Sequence, residues 1–473
     1  MACAGGANPY DTASMHTLDK LRHTIPALRI STEQSDLAHY GRDWTRRWTP
    51  APLAIVFPAD TAEVQALVQW ARATGTPLVP SGGRTGLSGG AVAANGEVVV
   101  SLERMNRILA FDPVDRTLTV QAGATLQSVQ DAAGKQGLSY PVDFASRGSC
   151  TIGGTIATNA GGIRVIRHGN TREWIAGLTL VAGTGEVMRL NRGLIKNSSG
   201  YDLRHLVIGS EGTLGIVTEA IVRLGAPLPA SKVVLLALPS FDAVMAAFVE
   251  VRGALGLQAF EFFSGDALRH VVAHGAQDPF AEMHPAYALV EVDSIDDAEE
   301  TEMLAVLERC LERGVASDIV VAGSDAQVAA LWRLRESITE SIAARTPYKN
   351  DIAVRVSALP AFLAEAEALL AAGYPTFEVI WFGHIGDGNL HISILRPEDL
   401  APDAFVAHCE HATDMLADVL ARHDGSISAE HGIGLVKKPW LARMRGEAEM
   451  VRLRGIRETF DPDGILNPGK VFD

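Results

Sequence analysis

Cysteine is scarce in this chain of 473 residues: four occur, Cys3, Cys150, Cys310 and Cys409, and no two lie close together. That excludes a zinc-thiolate knuckle and an iron–sulfur cluster, and it fits a reducing compartment, so a cytoplasmic protein is expected. Runs of Lys and Arg are also absent, and the formal charge is −15. Nucleic acid, whose phosphates need a concentrated basic surface, is therefore not an expected partner. Met1 to Lys20 contains Asp11 and Asp19 and has neither the basic start nor the unbroken apolar stretch of a signal peptide, so none is expected. No window reaches the roughly 18 apolar residues of a membrane span, and neither low-complexity tracts nor repeats of solenoid period occur. What is present is 47% hydrophobic residues, enough to fill more than one core at this length.

Four stretches follow from the pattern: an N-terminal segment over 1–50, then 51–225, 226–424 and a C-terminal segment over 425–473. From Ala51 to Leu224, short β-branched runs such as Glu97–Leu102, Thr117–Gln121 and Gly215–Leu224 alternate with glycine-rich turns. One helix is signalled there by Asp60 or Thr61 as N-cap, by Val64, Leu67, Val68 and Ala71 at helical spacing, and by Gly75 past its end. Gly225–Ser231, with two prolines, reads as a linker or crossover. Beyond it, strand-like runs (Val233–Leu238, Tyr287–Val292, Val379–Phe382) alternate with amphipathic helices over Glu300–Arg313 and Gln327–Ala344. That pattern predicts an α+β layer with helices on one side of a sheet. A helix over Asp403–Arg422 follows, then a turn rich in Gly and His.

The first chemical motif is Pro80-Ser81-Gly82-Gly83-Arg84-Thr85-Gly86-Leu87, continuing to Gly90, directly after the apolar Leu78-Val79. Glycines let backbone N–H groups converge on an anion such as a pyrophosphate, although a plain cluster of surface turns has the same composition. A second loop runs from Ser146 to Gly162 and includes Gly153, Gly154, Thr155, Thr158 and Gly161; a third, Gly209–Val217, includes Glu211, Gly212 and Ile216. Three such loops in one domain suggest a long cofactor lying across it. In order and spacing they resemble the FAD-binding domain of the vanillyl-alcohol oxidase type, which implies that these residues hold FAD. In that superfamily the first loop often carries a histidine bonded to the flavin. Arg84 stands at that position here, so the resemblance implies a non-covalent, dissociable FAD.

The second motif is Gly383-His384-Ile-Gly-Asp-Gly-Asn-Leu-His391, between two strand candidates. A spacing of seven is wrong for a helical pair of ligands, but both histidines can meet one ion if the chain turns tightly at Gly386–Gly388. Ser428-Ala-Glu430-His431-Gly432 adds a carboxylate and another imidazole. Two imidazoles and a carboxylate make a divalent metal site with open positions, the favoured reading over a hydrogen-bonded histidine cluster. Both motifs are similar to those in the C-terminal domain of FAD-linked D-lactate, glycolate and D-2-hydroxyglutarate dehydrogenases, and the similarity spans roughly Leu53 to Lys470. It implies His384, His391 and Glu430 as ligands of a divalent ion, zinc first and manganese second, with His431 as the base and a substrate contact.

Within that family Arg335-Glu-Ser-Ile-Thr339 and Tyr348-Lys349-Asn-Asp351 resemble the D-2-hydroxyglutarate pattern, in which the matching Arg335, Thr339 and Lys349 hold substrate carboxylates. Taken alone, these charges are an ordinary solvated helix face. Ser393 stands where the family has a substrate-binding asparagine. D-lactate, D-malate and glycolate remain alternative substrates, as does a role as the flavin subunit of a larger oxidase. The resemblance further implies an electron acceptor such as an electron-transfer flavoprotein or a quinone, and a homodimer. Asp461–Lys470 resembles the family ending, which returns to the flavin domain; a plain turn-rich terminus has the same composition. The expected fold is α+β: an FAD domain of the vanillyl-alcohol oxidase type, a substrate domain on an antiparallel sheet, and a C-terminal segment closing on the flavin.

Overall fold

The structure, a computed structural model, describes residues 12–294 and 296–473; the readings made on Cys3 and on the first eleven residues lie outside it. Strands of three to nine residues build two sheets in the first half of the chain. β1 (Arg29–Ser31), β2 (Ala54–Phe57), β3 (Leu78–Ser81) and β4 (Val98–Ser101) form a sheet in the order β1-β2-β4-β3, parallel except for β1. β5 (Ile108–Asp112), β6 (Thr117–Gln121), β7 (Ile175–Ala182), β8 (Val187–Leu190) and β9 (Gly215–Arg223) form an antiparallel sheet in the order β5-β6-β9-β7-β8.

The expected helix occupies Thr61–Thr74. The Asp60 carboxylate accepts the Glu63 N–H at its start, and Gly75 ends it in the left-handed region. Its Val64, Leu67, Val68 and Ala71 are buried in one core with side chains of both sheets, so this single amphipathic face joins the two layers.

The chain passes into a third sheet between Arg223 and Ser231. β10 (Ser231–Leu238), β11 (Leu257–Ser264), β12 (Ala286–Asp293), β13 (Asp318–Val321), β14 (Tyr348–Ala353), β15 (Glu378–Gly383) and β16 (Asn389–Leu395) pair antiparallel in the order β13-β10-β12-β11-β15-β16-β14. Helices cover both faces, not one as the pattern suggested. Phe241–Ala254, Asp297–Glu312, Leu359–Gly373 and Pro402–Arg422 pack on one face; Gly265–Ala273 and Asp325–Glu336 pack on the other. The reason is visible in β10, whose unbroken run from Val233 to Leu238 presents apolar side chains to both sides.

The helix expected over Gln327–Ala344 is interrupted at Ser337 and resumes as short pieces at Ile338–Ser341 and Ala343–Arg345. A long helix over Lys438–Phe460, kinked at Gly446, was not anticipated. Only Trp440, Leu441, Met450 and Phe460 of it are buried, so its apolar periodicity is faint. One helix has the length and hydropathy of a membrane span over Val356–Gly373; Glu365 and Glu367 interrupt that stretch, and Phe362, Leu363, Ala366 and Leu370 pack into the core.

The second face of the third sheet is mixed in character. Phe263, Tyr287, Leu289, Phe382 and Leu395 on it lie beneath the helices. Glu261, Glu291, Asp293, His391 and Asp351 share that face, and the first half of the chain covers part of it: Arg164 pairs with Glu291 at 3.2 Å and Arg167 with Asp293 at 2.9 Å. The C-terminal tail returns to the first sheet, where Leu466 bridges Leu78 and the Asn467 amide donates to Gly90 O and Glu211 O.

Candidate active site

The three glycine loops meet. Pro80 and Ser81 end β3, and Gly82–Leu87 form the loop after it. Ser146 caps a turn by accepting the N–H groups of Ser149 and Cys150. Thr151 caps the short helix Ile152–Thr158 that holds Gly153, Gly154, Thr155 and Thr158. The third loop is tied to that helix through Gly209 N–H to Ile156 O and Glu211 N–H to Ala157 O, and Ile216 is buried in β9. Contact between the first and second loops leaves no room for a side chain: a Cβ on Gly83 would sit 2.1 Å from Ser149 O. Such a bare, contiguous backbone surface fits a pyrophosphate. Arg84, at φ 57°, turns its guanidinium onto the Tyr40 ring and to His39.

The second loop also approaches the histidines. A Cβ on Gly161 would lie 3.6 Å from Glu430 Oε2. His384 and His391 flank the turn between β15 and β16, as expected, and their ring centroids are 5.4 Å apart. Ser426–Ser428 runs along the β14 edge, bridging Ala353 and Asp351, and this delivers Glu430 and His431 to the same place.

Three Nε2 atoms then face one carboxylate oxygen: those of His384, His391 and His431 lie 3.9, 3.8 and 3.6 Å from Glu430 Oε1. The opposite ring nitrogens face buried carboxylates. Glu261 Oε1 is 2.7 Å from His384 Nδ1, and Asp351 is 3.6 Å from His391 Nδ1 and 3.4 Å from His431 Nδ1. Imidazoles backed by carboxylates, with their free nitrogens converging on another carboxylate, are a donor set that could hold a divalent ion, with His384, His391 and Glu430 as candidate ligands.

Burial disfavours the charged form of His384, yet the charge and hydrogen bond of Glu261 outweigh it and lift the ring to about 9. Burial holds His391 well below its ordinary range. Burial also pushes Asp387, in the same turn, up to about 7. Burial works against Asp351 as an anion, but His431 and Lys437 beside it keep it well below the usual carboxylate range.

Glu261, which no motif pointed to, joins two functions: its Oε2 pairs with Arg335 Nε at 2.9 Å. Arg335 is buried at the end of helix Asp325–Glu336, its guanidinium 4.9 Å from the Phe382 ring. Ser393 is buried and shares a strand face with His391; its register partner on β14 is Lys349. Lys349 is exposed and forms no ion pair among the described residues; burial of its surroundings lowers its pKa. Thr339 is exposed on the short helix beyond the Ser337 break. Glu211 turns its carboxylate to the C-terminal segment, accepting the N–H groups of Ile433 and Gly434 at 2.7 and 2.8 Å. Asp43 and Trp44 hydrogen-bond the first loop through Gly89 and Gly86, a contact that the sequence did not suggest.

Size does not mark this site. A cavity of about 1010 Å³, an open groove beside helix Leu359–Gly373, contains none of these groups. A smaller one of about 150 Å³ lies between Thr158, Glu211 and Glu430, where the glycine loops face the C-terminal segment.

Comparison with known proteins fits this geometry. Residues 52–191 match an FAD binding domain and residues 228–471 match the C-terminal domain of FAD linked oxidases. The chain belongs to the FAD-linked oxidase family. As an oxidoreductase of that family it is 62% identical over 453 residues to D-2-hydroxyglutarate dehydrogenase of Xanthomonas citri pv. viticola, covering 96% of each chain. It is 48% identical to the protein of that name from Stutzerimonas stutzeri, covering 96% of this chain and 98% of the other. The solved structure of p-cresol methylhydroxylase with substrate bound superposes with a TM-score of 0.76 over 98% of each chain at 14% identity, which shows the shared fold.

Proposed function

We propose that this FAD-linked enzyme oxidises D-2-hydroxyglutarate to 2-oxoglutarate, with His384, His391 and Glu430 holding a divalent ion, zinc first. The observation that carries the reading is the shared Glu261, which fixes a ligand imidazole through one oxygen and the buried Arg335 through the other. A substrate held beside these residues would meet a fixed guanidinium, suited to bidentate carboxylate binding. Lys349, two residues along β14 from Asp351 and on the same face, supplies a second cation for a second carboxylate. A monocarboxylate such as lactate has no group for it. The names carried by the relatives point the same way.

When bound, the flavin supplies the hydride acceptor and the ion an electrophile that lowers the pKa of the substrate hydroxyl. His431 takes the hydroxyl proton on Nε2, the nitrogen that faces Glu430, while Asp351 beside Nδ1 offsets the positive charge that the ring gains. The Ser231–Glu291–Arg164 contacts and the tail hold the two halves of the site together.

Anaerobic stopped-flow bleaching of the flavin by D-2-hydroxyglutarate, D-malate, D-lactate and glycolate tests this reading. D-2-hydroxyglutarate should bleach fastest, and a strong chelator should slow bleaching until divalent metal is restored. Equal or faster bleaching by lactate or glycolate overturns the dicarboxylate assignment; a rate indifferent to the chelator overturns the metal assignment.

A further inference from the structure

Asp351, which offsets charge on His431 in the reading above, also reaches His391 and several other groups. It lies on β14 with its side chain 2% exposed. Its Oδ2 accepts the backbone N–H groups of Glu430 at 3.1 Å and His431 at 3.0 Å and pairs with the Lys437 ammonium at 3.3 Å. Its Oδ1 accepts the Asn389 amide at 2.9 Å. The same two oxygens face two rings, Oδ1 toward His391 Nδ1 and Oδ2 toward His431 Nδ1. Those rings lie nearly parallel, 15° apart, with centroids separated by 5.8 Å. Lys437 is itself buried and also donates to Asp351 O and Ser428 Oγ.

Two readings compete. Asp351, His391, Glu430 and His431 offer ligand atoms within 4.8 Å of one another, so Asp351 could be a metal ligand. The geometry argues otherwise: Asp351 meets each ring at Nδ1, the side away from the Nε2 atoms that face Glu430.

We propose that Asp351, held by Lys437, is a positioning residue that presents Nε2 of both His391 and His431 toward Glu430, so that one carboxylate aligns a metal-ligating imidazole and the proton-accepting one together. This rests on the metal reading given above. A carboxylate beside Nδ1 favours the proton there and leaves the Nε2 lone pair free, as outer-shell carboxylates do in metal sites. An amide in its place would offer Nδ1 a donor and move the ring proton to Nε2, where the lone pair is needed.

The test uses the full, FAD-loaded chain, with Asp351→Asn and Lys437→Gln compared with wild type. Zn2+ affinity is measured by competition with a chromophoric chelator, and the Co2+-loaded proteins are compared by visible absorption. With flavin absorbance intact, Asp351→Asn should bind Zn2+ roughly 10- to 100-fold more weakly. It should keep the Co2+ band shape at saturation and reduce its flavin more slowly even with metal saturating. Lys437→Gln should move affinity and rate the same way by a smaller factor. Unchanged Zn2+ affinity and reduction rate in both variants overturn the proposal, and a Co2+ spectrum showing a lost ligand overturns it in favour of direct ligation. A wild-type protein that binds neither ion removes the metal reading itself, an outcome distinct from either.

Discussion

Glu211 offers a quantitative check on how the flavin half grips the segment that carries His431. It is buried at a left-handed backbone position and binds the N–H groups of Ile433 and Gly434, while burial lifts its carboxyl from an ordinary 4.5 to about 7. The gap corresponds to roughly 3 kcal/mol. An acid whose pKa is higher in the folded chain holds its proton more tightly there. Its contribution is full below pH 4.5, declines as the unfolded chain loses its proton first, and is gone above about pH 7. Glutamine does not titrate. Chemical unfolding of the FAD-loaded wild type and Glu211→Gln at pH 5 and pH 8 should therefore show the wild type losing roughly 2.5 kcal/mol relative to the variant between the two values, since part of the contribution is already gone at pH 5. A wild-type-to-variant difference that is the same at both pH values refutes the reasoning, because Glu211 would then titrate alike in both states.

His431→Asn should leave the flavin spectrum intact and lower the rate of flavin reduction by at least about 100-fold; an unchanged rate removes His431 from proton transfer. Gly83→Ala should cost the protein its flavin, because the new Cβ meets Ser149 O at 2.1 Å, and absorbance after desalting reads this directly; full flavin content would refute it. Arg335→Met should raise the KM for D-2-hydroxyglutarate by a factor of roughly 10 to 100, the worth of a charge-assisted hydrogen bond. It should also destabilise the fold by stranding Glu261; a KM within twofold of wild type would place the carboxylate elsewhere.

The groups that sequence reasoning found are those that come in strings. Glycine loops and the His384 to His391 turn carry local spacing, and local spacing survives in one dimension. The groups it missed act singly across the fold. Glu261 stands alone in Ala-Phe-Glu-Phe-Phe and Asp351 alone in Lys-Asn-Asp-Ile-Ala. For Glu261 a lone carboxylate within an apolar run was the available signal, since such a group is kept buried only when it is paired; Asp351 follows Lys349 and Asn350 and gave none. Lys437 gave no signal, because its partner is 86 residues away. The Ser337 break was hidden by helical spacing that continues through it, and the Lys438–Phe460 helix by how little of it is buried. The cover on both faces of the third sheet was legible in β10, whose apolar run does not alternate.

The strand-like contact of Leu466 with Leu78 bears on the order in which the molecule can assemble during synthesis. β3 pairs with β4 on one side only, and on its other side the Leu78 N–H and C=O bond to Ile465 and Asn467, residues made after the whole of the third sheet. β3 leaves the ribosome early but must wait for nearly four hundred further residues to close that edge, about 20 to 80 s at ordinary elongation rates. During that interval the edge is open to other chains. Nascent chains released before Leu466 should therefore be prone to aggregation and slow to retain FAD, even with all three glycine loops already made.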